Sequence, residues 1–244
     1  MKIKYYLFFL ILTTGLSAQP KESSEILARI DAYRVPFKQL LVRTKISSFE
    51  NDQLKETAIF DAYFNGTEKS LVIAREYKTK GMKLLYVGED MWIHLPDSRR
   101  PIRITPIQRL LGEASNGDVA RISFGDDYTA EVLGAATIEA VACHKINLVA
   151  KRKSATYHRI VLLVRQTDFR PVKAEYYVIS GKHIKTAFFD TYQMINGKQI
   201  LKKMTIYDEL NKSQKTVFEY QKIQSKEIPV KYFNKNYLIY VSDL

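Results

Sequence analysis

Residues 172–192 read Val172-Lys173-Ala174-Glu175-Tyr176-Tyr177-Val178-Ile179-Ser180-Gly181-Lys182-His183-Ile184-Lys185-Thr186-Ala187-Phe188-Phe189-Asp190-Thr191-Tyr192. Val172, Ala174, Tyr176 and Val178 alternate with Lys173 and Glu175, which puts apolar groups on one face of an extended strand and charges on the other. Ser180-Gly181 then offers a tight turn, and a second run rich in Ile, Thr, Phe and Tyr follows, so the two runs pair as an antiparallel hairpin.

The same unit recurs along the chain. Met204 and Ile206 alternate with Lys203 and Thr205, and Phe218 and Tyr220 with Glu219 and Gln221. Strand-like runs occupy 37–47, 56–64, 69–78, 82–87, 91–95, 101–105, 128–134, 142–150, 157–164, 200–207 and 216–223, with turn signals at Asn65-Gly66, Gly88-Glu89, Pro96-Asp97 and Asn196-Gly197. No long helical pattern separates them, which argues against parallel βαβ units. Strands with one wet and one apolar face predict a single curved sheet wrapped round its own interior. The expected fold is mainly β: an incomplete, half-closed antiparallel barrel of about eleven to thirteen strands around an apolar cavity.

Two helices are expected beside the sheet. Ser23 and Ser24 precede Glu25, and Ile26, Leu27, Ile30 and Tyr33 follow at helical spacing before Pro36, which predicts an N-terminal amphipathic helix. Thr105-Pro106-Ile107-Gln108 carries an N-cap, an N1 proline and a capping-box glutamine, and Gly112 supplies a stop, which predicts a short capping helix. Its Ile107, Leu110 and Leu111 would share one face. A helix this short needs docking to persist, so these three side chains are expected to cover the hollow of the sheet as a lid. Trp92, Met204, Ile206, Phe218 and Tyr220 are candidate cavity-lining residues.

The chain opens with Lys2 and Lys4, an apolar run from Tyr5 to Leu12, and Leu16-Ser17-Ala18 before Gln19-Pro20. That layout predicts a signal peptide over 1–18, cleaved near Ala18, with a single domain over 19–244 in the periplasm. The apolar run is shorter than the roughly 20 residues a membrane span needs. The one cysteine, Cys143, lies far from the cleavage point, so no lipoprotein anchor is expected there, and a single cysteine excludes an internal disulfide. The formal net charge of +12 points to anionic partners, with membrane lipid favoured over nucleic acid for an exported protein, or to a well-solvated surface.

Catalytic patterns are absent: there is no GxSxG elbow, no HExxH and no phosphate-cradling glycine loop. His94, His144, His158 and His183 are scattered without ligand spacing, so no metal is expected. Asp126-Asp127 and Cys143-His144 are adjacent pairs whose side chains would diverge on a strand. No enzyme and no cofactor are therefore expected. Arg99, Arg100 and Arg103 near a strand turn could grip an anionic headgroup or could solubilise the turn, and both readings stand. Lys151-Arg152-Lys153 reads as a solvated turn.

Gly88-Glu89-Asp90-Met91-Trp92-Ile93-His94-Leu95-Pro96 followed by Arg99-Arg100-Pro101-Ile102-Arg103-Ile104 resembles the central motif of the outer membrane lipoprotein-sorting proteins, which are similar to the LolA/LolB carriers. Residues 127–134, 172–177 and 203–208 fit the same pattern, and the likeness spans about residues 25 to 235. Many members carry a phenylalanine- and glycine-rich stretch after the arginines. This chain has Gln108-Arg109-Leu110-Leu111-Gly112 and Asn116-Gly117-Asp118-Val119 instead, as a subgroup would. The resemblance implies an unclosed barrel capped by helices over a cavity that holds acyl chains. It thus implies a monomeric periplasmic carrier of lipoprotein acyl chains or lipid, in peripheral contact with membrane surface and with an inner-membrane transporter as a further partner. The alternative it leaves is a non-enzymatic accessory or docking protein of an exporter or envelope complex.

Overall fold

The structure is a computed structural model and describes residues 19–76, 78, 80–241 and 244. The predicted signal peptide lies outside the described residues. Helix α1 (Gln19–Asp31) leads into β1 (Gln39–Glu50), β2 (Gln53–Asn65), β3 (Lys69–Glu76), β4 (Lys83–Val87), β5 (Asp90–His94) and β6 (Ile102–Ile104). An insert follows, made of β7 (Arg109–Leu111), β8 (Ala114–Ser115) and α2 (Asn116–Ala120). The chain then runs through β9 (Tyr128–Ile138), β10 (Val141–Ala150), β11 (Arg159–Arg165), β12 (Pro171–Tyr177), β13 (His183–Ile195), β14 (Lys198–Asp208) and β15 (Gln214–Ser225).

Among the described residues thirteen of these strands make one antiparallel sheet, ordered β6-β5-β4-β3-β2-β1-β15-β14-β13-β12-β11-β10-β9. Every neighbour is sequential except β1 and β15, which pair from Leu40↔Ser225 to Glu50↔Gln214. The sheet is thus two meanders zipped along that seam. Its outer strands, β6 and β9, do not pair with each other, so the barrel stays open.

The turns follow their residues. Asn196 (φ +50°) and Gly197 (φ +76°) both take the left-handed conformation between β13 and β14, as a two-residue hairpin requires. Helix α1 buries Ile26, Leu27 and Ile30 on the sheet, and Ser23 Oγ accepts the Ala130 amide of edge strand β9 at 2.7 Å. That contact shields part of an otherwise open edge.

The sheet has two buried faces where one was expected. The concave face holds the main core, from Ile46, Phe60 and Leu84 round to Leu162, Ile206 and Phe218. On the convex side of β1–β5 a second cluster joins Leu41, Leu71, Ile73 and Leu85 to Phe233, Leu238 and Val241 of the C-terminal segment. That segment folds as two 3₁₀ turns, Val230–Phe233 and Lys235–Tyr240. It covers an apolar sheet surface that would otherwise face water.

The helix predicted over 105–111 does not form. Residues 105–108 make a turn, with the Gln108 amide on Thr105 O at 3.2 Å and the Thr105 amide on Gln108 Oε1 at 3.1 Å. The carbonyls that would propagate a helix are used elsewhere: Pro106 O accepts the Gly117 amide and Gln108 O the Asn116 amide, both at 2.9 Å. Arg109–Leu111 pairs with Ala114–Ser115 instead. The short helix begins ten residues further on, after Ser115.

Candidate functional site

The insert between β6 and β9 is a plug seated in the concavity. Ser115 precedes α2, and its amide donates to Asp118 Oδ2 at 2.9 Å, one half of a capping box. The Ser115-x-x-Asp118 spacing, passed over in favour of Thr105, is the sequence signal that marks this helix. Val119 and Ala120 of α2 face the core with Leu111 and Ala114 of the hairpin. A helix of five residues has little stability of its own, so tertiary bonds hold it.

Those bonds are polar and come from the barrel wall. Lys185 Nζ on β13 donates to Glu113 O at 2.6 Å, Ser115 Oγ at 2.7 Å and Tyr157 OH at 3.3 Å, and lies 4.0 Å from Asp118 Oδ2. Tyr157 OH donates to the Asp118 carboxylate, 2.9 Å from Oδ2. The Glu113 amide donates to Thr216 Oγ1 at 2.7 Å, and Ser70 Oγ to Ala120 O at 2.6 Å. Arg121 pairs with Asp127 and donates to Ser154 O at 2.6 Å. Asp31, at the end of α1, accepts from Ser123 Oγ at 2.7 Å, the Phe124 amide at 2.8 Å and the Gly125 amide at 2.9 Å.

Burial governs the electrostatics of this network. It pushes the Lys185 ammonium below its ordinary value, against the pull of Asp118 and Glu113. It pushes the Glu113 carboxyl up, and neighbouring Asp208 adds to the rise while Arg109 and Lys185 oppose it. Tyr157 is held well above its usual value by burial and by Asp118, so it stays a donor. Buried polar groups of this kind are tolerated where they are satisfied: Lys185 and Tyr157 find their partners on the plug, whereas Glu113 Oε1 has no hydrogen-bond donor and is met by the ion pair with Arg109.

With the plug in place the interior is nearly full. Two cavities of about 30 Å³ flank α2, and Arg34 and Asp118 line both. One is walled by Val42, Phe64, Val119, Leu201, Phe218 and Tyr220. Ligand pockets generally measure about 300–1,000 Å³, so neither holds more than a water or two. A far larger groove, 1,080 Å³, lies outside, between the β6 edge and the turn joining β10 to β11.

The predicted site residues divide accordingly. Met204, Ile206 and Phe218 are buried in the concave core, and Tyr220 packs against it. Leu111 is buried and Leu110 half-buried against the same core, whereas Ile107 is 37% exposed and belongs to the outer groove. Trp92 packs against the convex cluster beneath the C-terminal segment, with Lys235 Nζ 5.8 Å from its ring, so it does not face the cavity. The arginines do not gather. Arg103 pairs with Asp90, while Arg99 and Arg100 are exposed in the turn beyond the far end of β5.

The histidines also stay apart. His94 donates through Nε2 to Ser98 O at 3.0 Å, His144 packs on Phe169, His183 stacks on Tyr177, and His158 is exposed. Cys143 is buried, which raises its thiol. Asp127 pairs with Arg121, away from Asp126. Among the described residues no three His, Cys, Asp or Glu side chains could share a metal ion.

A family model described as "-like: Uncharacterized protein" matches residues 66–239. Of solved structures, the chain is similar to a LolA superfamily protein from Nitrosomonas europaea, at 30% identity and a TM-score of 0.82, covering 88% of this chain and 98% of that one. It is similar in fold to a DUF1329 family protein from Desulfovibrio piger, at 21% identity and a TM-score of 0.75, covering 90% and 99%. A domain from Vibrio parahaemolyticus assigned to outer membrane lipoprotein sorting shares the fold at 18% identity and a TM-score of 0.72, covering 90% and 99%. No curated protein matches the chain.

Proposed function

Because the chain belongs to the LolA superfamily, we propose that it is a periplasmic carrier that shelters the acyl chains of a lipid or lipoprotein in its concave face. The observation that carries this reading is the plug. An open barrel with an apolar interior is filled by an insert whose own secondary structure is too short to be self-sustaining. Displacing it would expose the concave wall of Phe64, Leu201, Phe218 and Tyr220 to a ligand.

The energetics suit exchange. Burying a leucine-sized side chain is worth roughly 1.5–3 kcal/mol, and acyl burial about 0.8 kcal/mol per CH₂. A long chain can therefore offset the loss of the few apolar plug residues Leu111, Ala114, Val119 and Ala120. The polar wall residues Lys185, Thr216 and Ser70 give the plug a defined seat to return to. Transfer on this reading needs no covalent step.

Export completes the proposal. A leader over 1–18 would deliver residues 19–244 to the periplasm, and no described helix is long and apolar enough to cross a membrane. N-terminal sequencing of the periplasmic fraction should begin at Gln19; an uncleaved chain in the membrane pellet would oppose the assignment. Native mass spectrometry of protein purified without detergent tests the carrier itself. Bound lipid or lipopeptide supports it, and a stoichiometric protein partner with no lipid favours a docking role instead.

A further inference from the structure

The 1,080 Å³ groove outside the plug is of ligand size, and its walls are of two kinds. One is apolar, formed by Ile104 at the end of β6, by Pro106 and Ile107 of the turn that follows it and by Ile179 of the turn joining β12 to β13. Ile179 is 84% exposed, an unusual position for an isoleucine with no cover. The other is cationic: Arg103, Lys151, Arg152 and Lys153, with Glu89 as the acidic residue in the lining.

The cations are available. Lys151 Nζ is spent on a carbonyl, Gly125 O at 2.7 Å, and not on a carboxylate. Lys153 is exposed and has no partner among the described residues. Arg103 pairs with Asp90 and Arg152 with Glu68, but these pairs are solvent-accessible and worth at most about 1 kcal/mol, so an anion can compete for them. The inner end of the groove is closed by Thr156 and Tyr157, which also line the cavity beside α2. The groove therefore abuts the concave interior at the plug's own anchor.

We propose that this groove is the headgroup site for the carrier's cargo, and that the cargo is a phospholipid of net negative charge, its headgroup held at Lys151 and Lys153 with no choline cation to oppose them and its first methylenes laid along Ile104, Ile107 and Ile179. A neutral acylglycerol or acyl-peptide would leave these cations unmatched. An acidic peptide would match them but leave the aliphatic wall and the way past Tyr157 unused. The inference rests on the carrier reading and narrows its cargo.

The test is native mass spectrometry after incubation with vesicles of equimolar phosphatidylglycerol and phosphatidylcholine. The wild type should take phosphatidylglycerol in preference, and Lys151→Gln with Lys153→Gln should lower that preference about fivefold for each lysine lost while phosphatidylcholine uptake is retained. Lys153→Gln alone, which disturbs no bond of the fold, serves if the double variant unfolds. Equal uptake of both lipids, or a preference unchanged in the variants, overturns the headgroup site and leaves the carrier standing. Uptake of neither lipid also overturns the headgroup site, and the carrier reading is then decided by whether a lipid or lipopeptide co-purifies with the protein. Inorganic phosphate bound in the groove without lipid uptake would likewise overturn the headgroup site.

Discussion

The backbone of Gly117 packs directly on the side chain of Thr156: a Cβ at residue 117 would lie 2.9 Å from Thr156 Cβ and closer still to its hydroxyl. This contact sets how deeply α2 can seat, because Thr156 sits at the boundary between the plug and the outer groove. Gly117→Ala should therefore push α2 away from the wall and lower stability by about 1–3 kcal/mol, as overpacking does. Thr156→Ala in the same chain should recover part of the loss by removing the hydroxyl. Denaturant midpoints for the two single variants and the double variant read this directly, and strictly additive losses would show that the two residues do not press on one another.

The Glu113 carboxyl gives the plug a pH dependence whose sign follows from its surroundings. Burial and Asp208 raise its folded value above the ordinary 4.5. The folded protein then binds more protons than the unfolded chain between 4.5 and the raised value, so in that window stability falls as pH rises. Below 4.5 the contribution is fully present; above the raised value it is lost. Glu113→Gln, which keeps the shape and removes the charge, should flatten this part of the stability profile and leave the plug more firmly seated at neutral pH. An unchanged profile would mean that Arg109 and Lys185 compensate the carboxylate in full.

Asp31 ties α1 to the chain leaving α2 through three accepted bonds, of 2.7, 2.8 and 2.9 Å. Asp31→Ala leaves the Phe124 and Gly125 amides without their acceptor, and a buried unsatisfied donor costs about 1–3 kcal/mol. The loss should be local before it is global. Amide exchange at 124 and 125 should quicken more than exchange in β14 or β15, and uniform quickening across the sheet would argue that α1 and the plug unfold only with the whole domain.

Alternation read the sheet well where one face is wet. Met204 and Ile206 point into the core, and the hairpin turns at Ser180-Gly181 and Asn196-Gly197 fall where the glycines place them. It misplaced Trp92 because alternation is lost in that region. Strand β4 is buried on both faces, Leu84 and Tyr86 toward the concavity and Leu85 toward the C-terminal segment, so its sequence carries no mark of which side is inner. The 105–111 helix failed for a related reason. Its cap residues were correctly read as making local bonds, but the carbonyls of Pro106 and Gln108 are claimed by amides of α2, and local pattern cannot see a partner in a neighbouring element. The polar seat was likewise hidden, since Lys185, Thr216 and Ser70 look like ordinary strand residues until the insert is brought against them.

The plug prediction joins these threads. Leu111 is buried in the concave core and Leu110 packs against it, in a hairpin anchored by the Glu113 amide on Thr216. Gly112, between them and that anchor, has φ +52°, and a Cβ there would lie 2.6 Å from Ser48 Cβ, so the hairpin backbone packs closely on the wall at this residue. Leu110→Ser with Leu111→Ser removes much of its apolar hold, each leucine being worth roughly 1.5–3 kcal/mol when fully buried, while leaving the Lys185, Thr216 and Ser70 bonds in place. If the insert is a displaceable plug, the variant should bind a hydrophobic dye more strongly than wild type. Its amide exchange over residues 105–124 should already be as fast without lipid as the wild type's is with lipid. If the leucines are simply core, the variant should lose stability throughout the sheet, and exchange in 105–124 of the wild type should be the same with and without lipid. That last comparison decides between them, because only a plug that vacates its seat makes the Glu113 amide lose its acceptor on the wall, Thr216 Oγ1, when a ligand arrives.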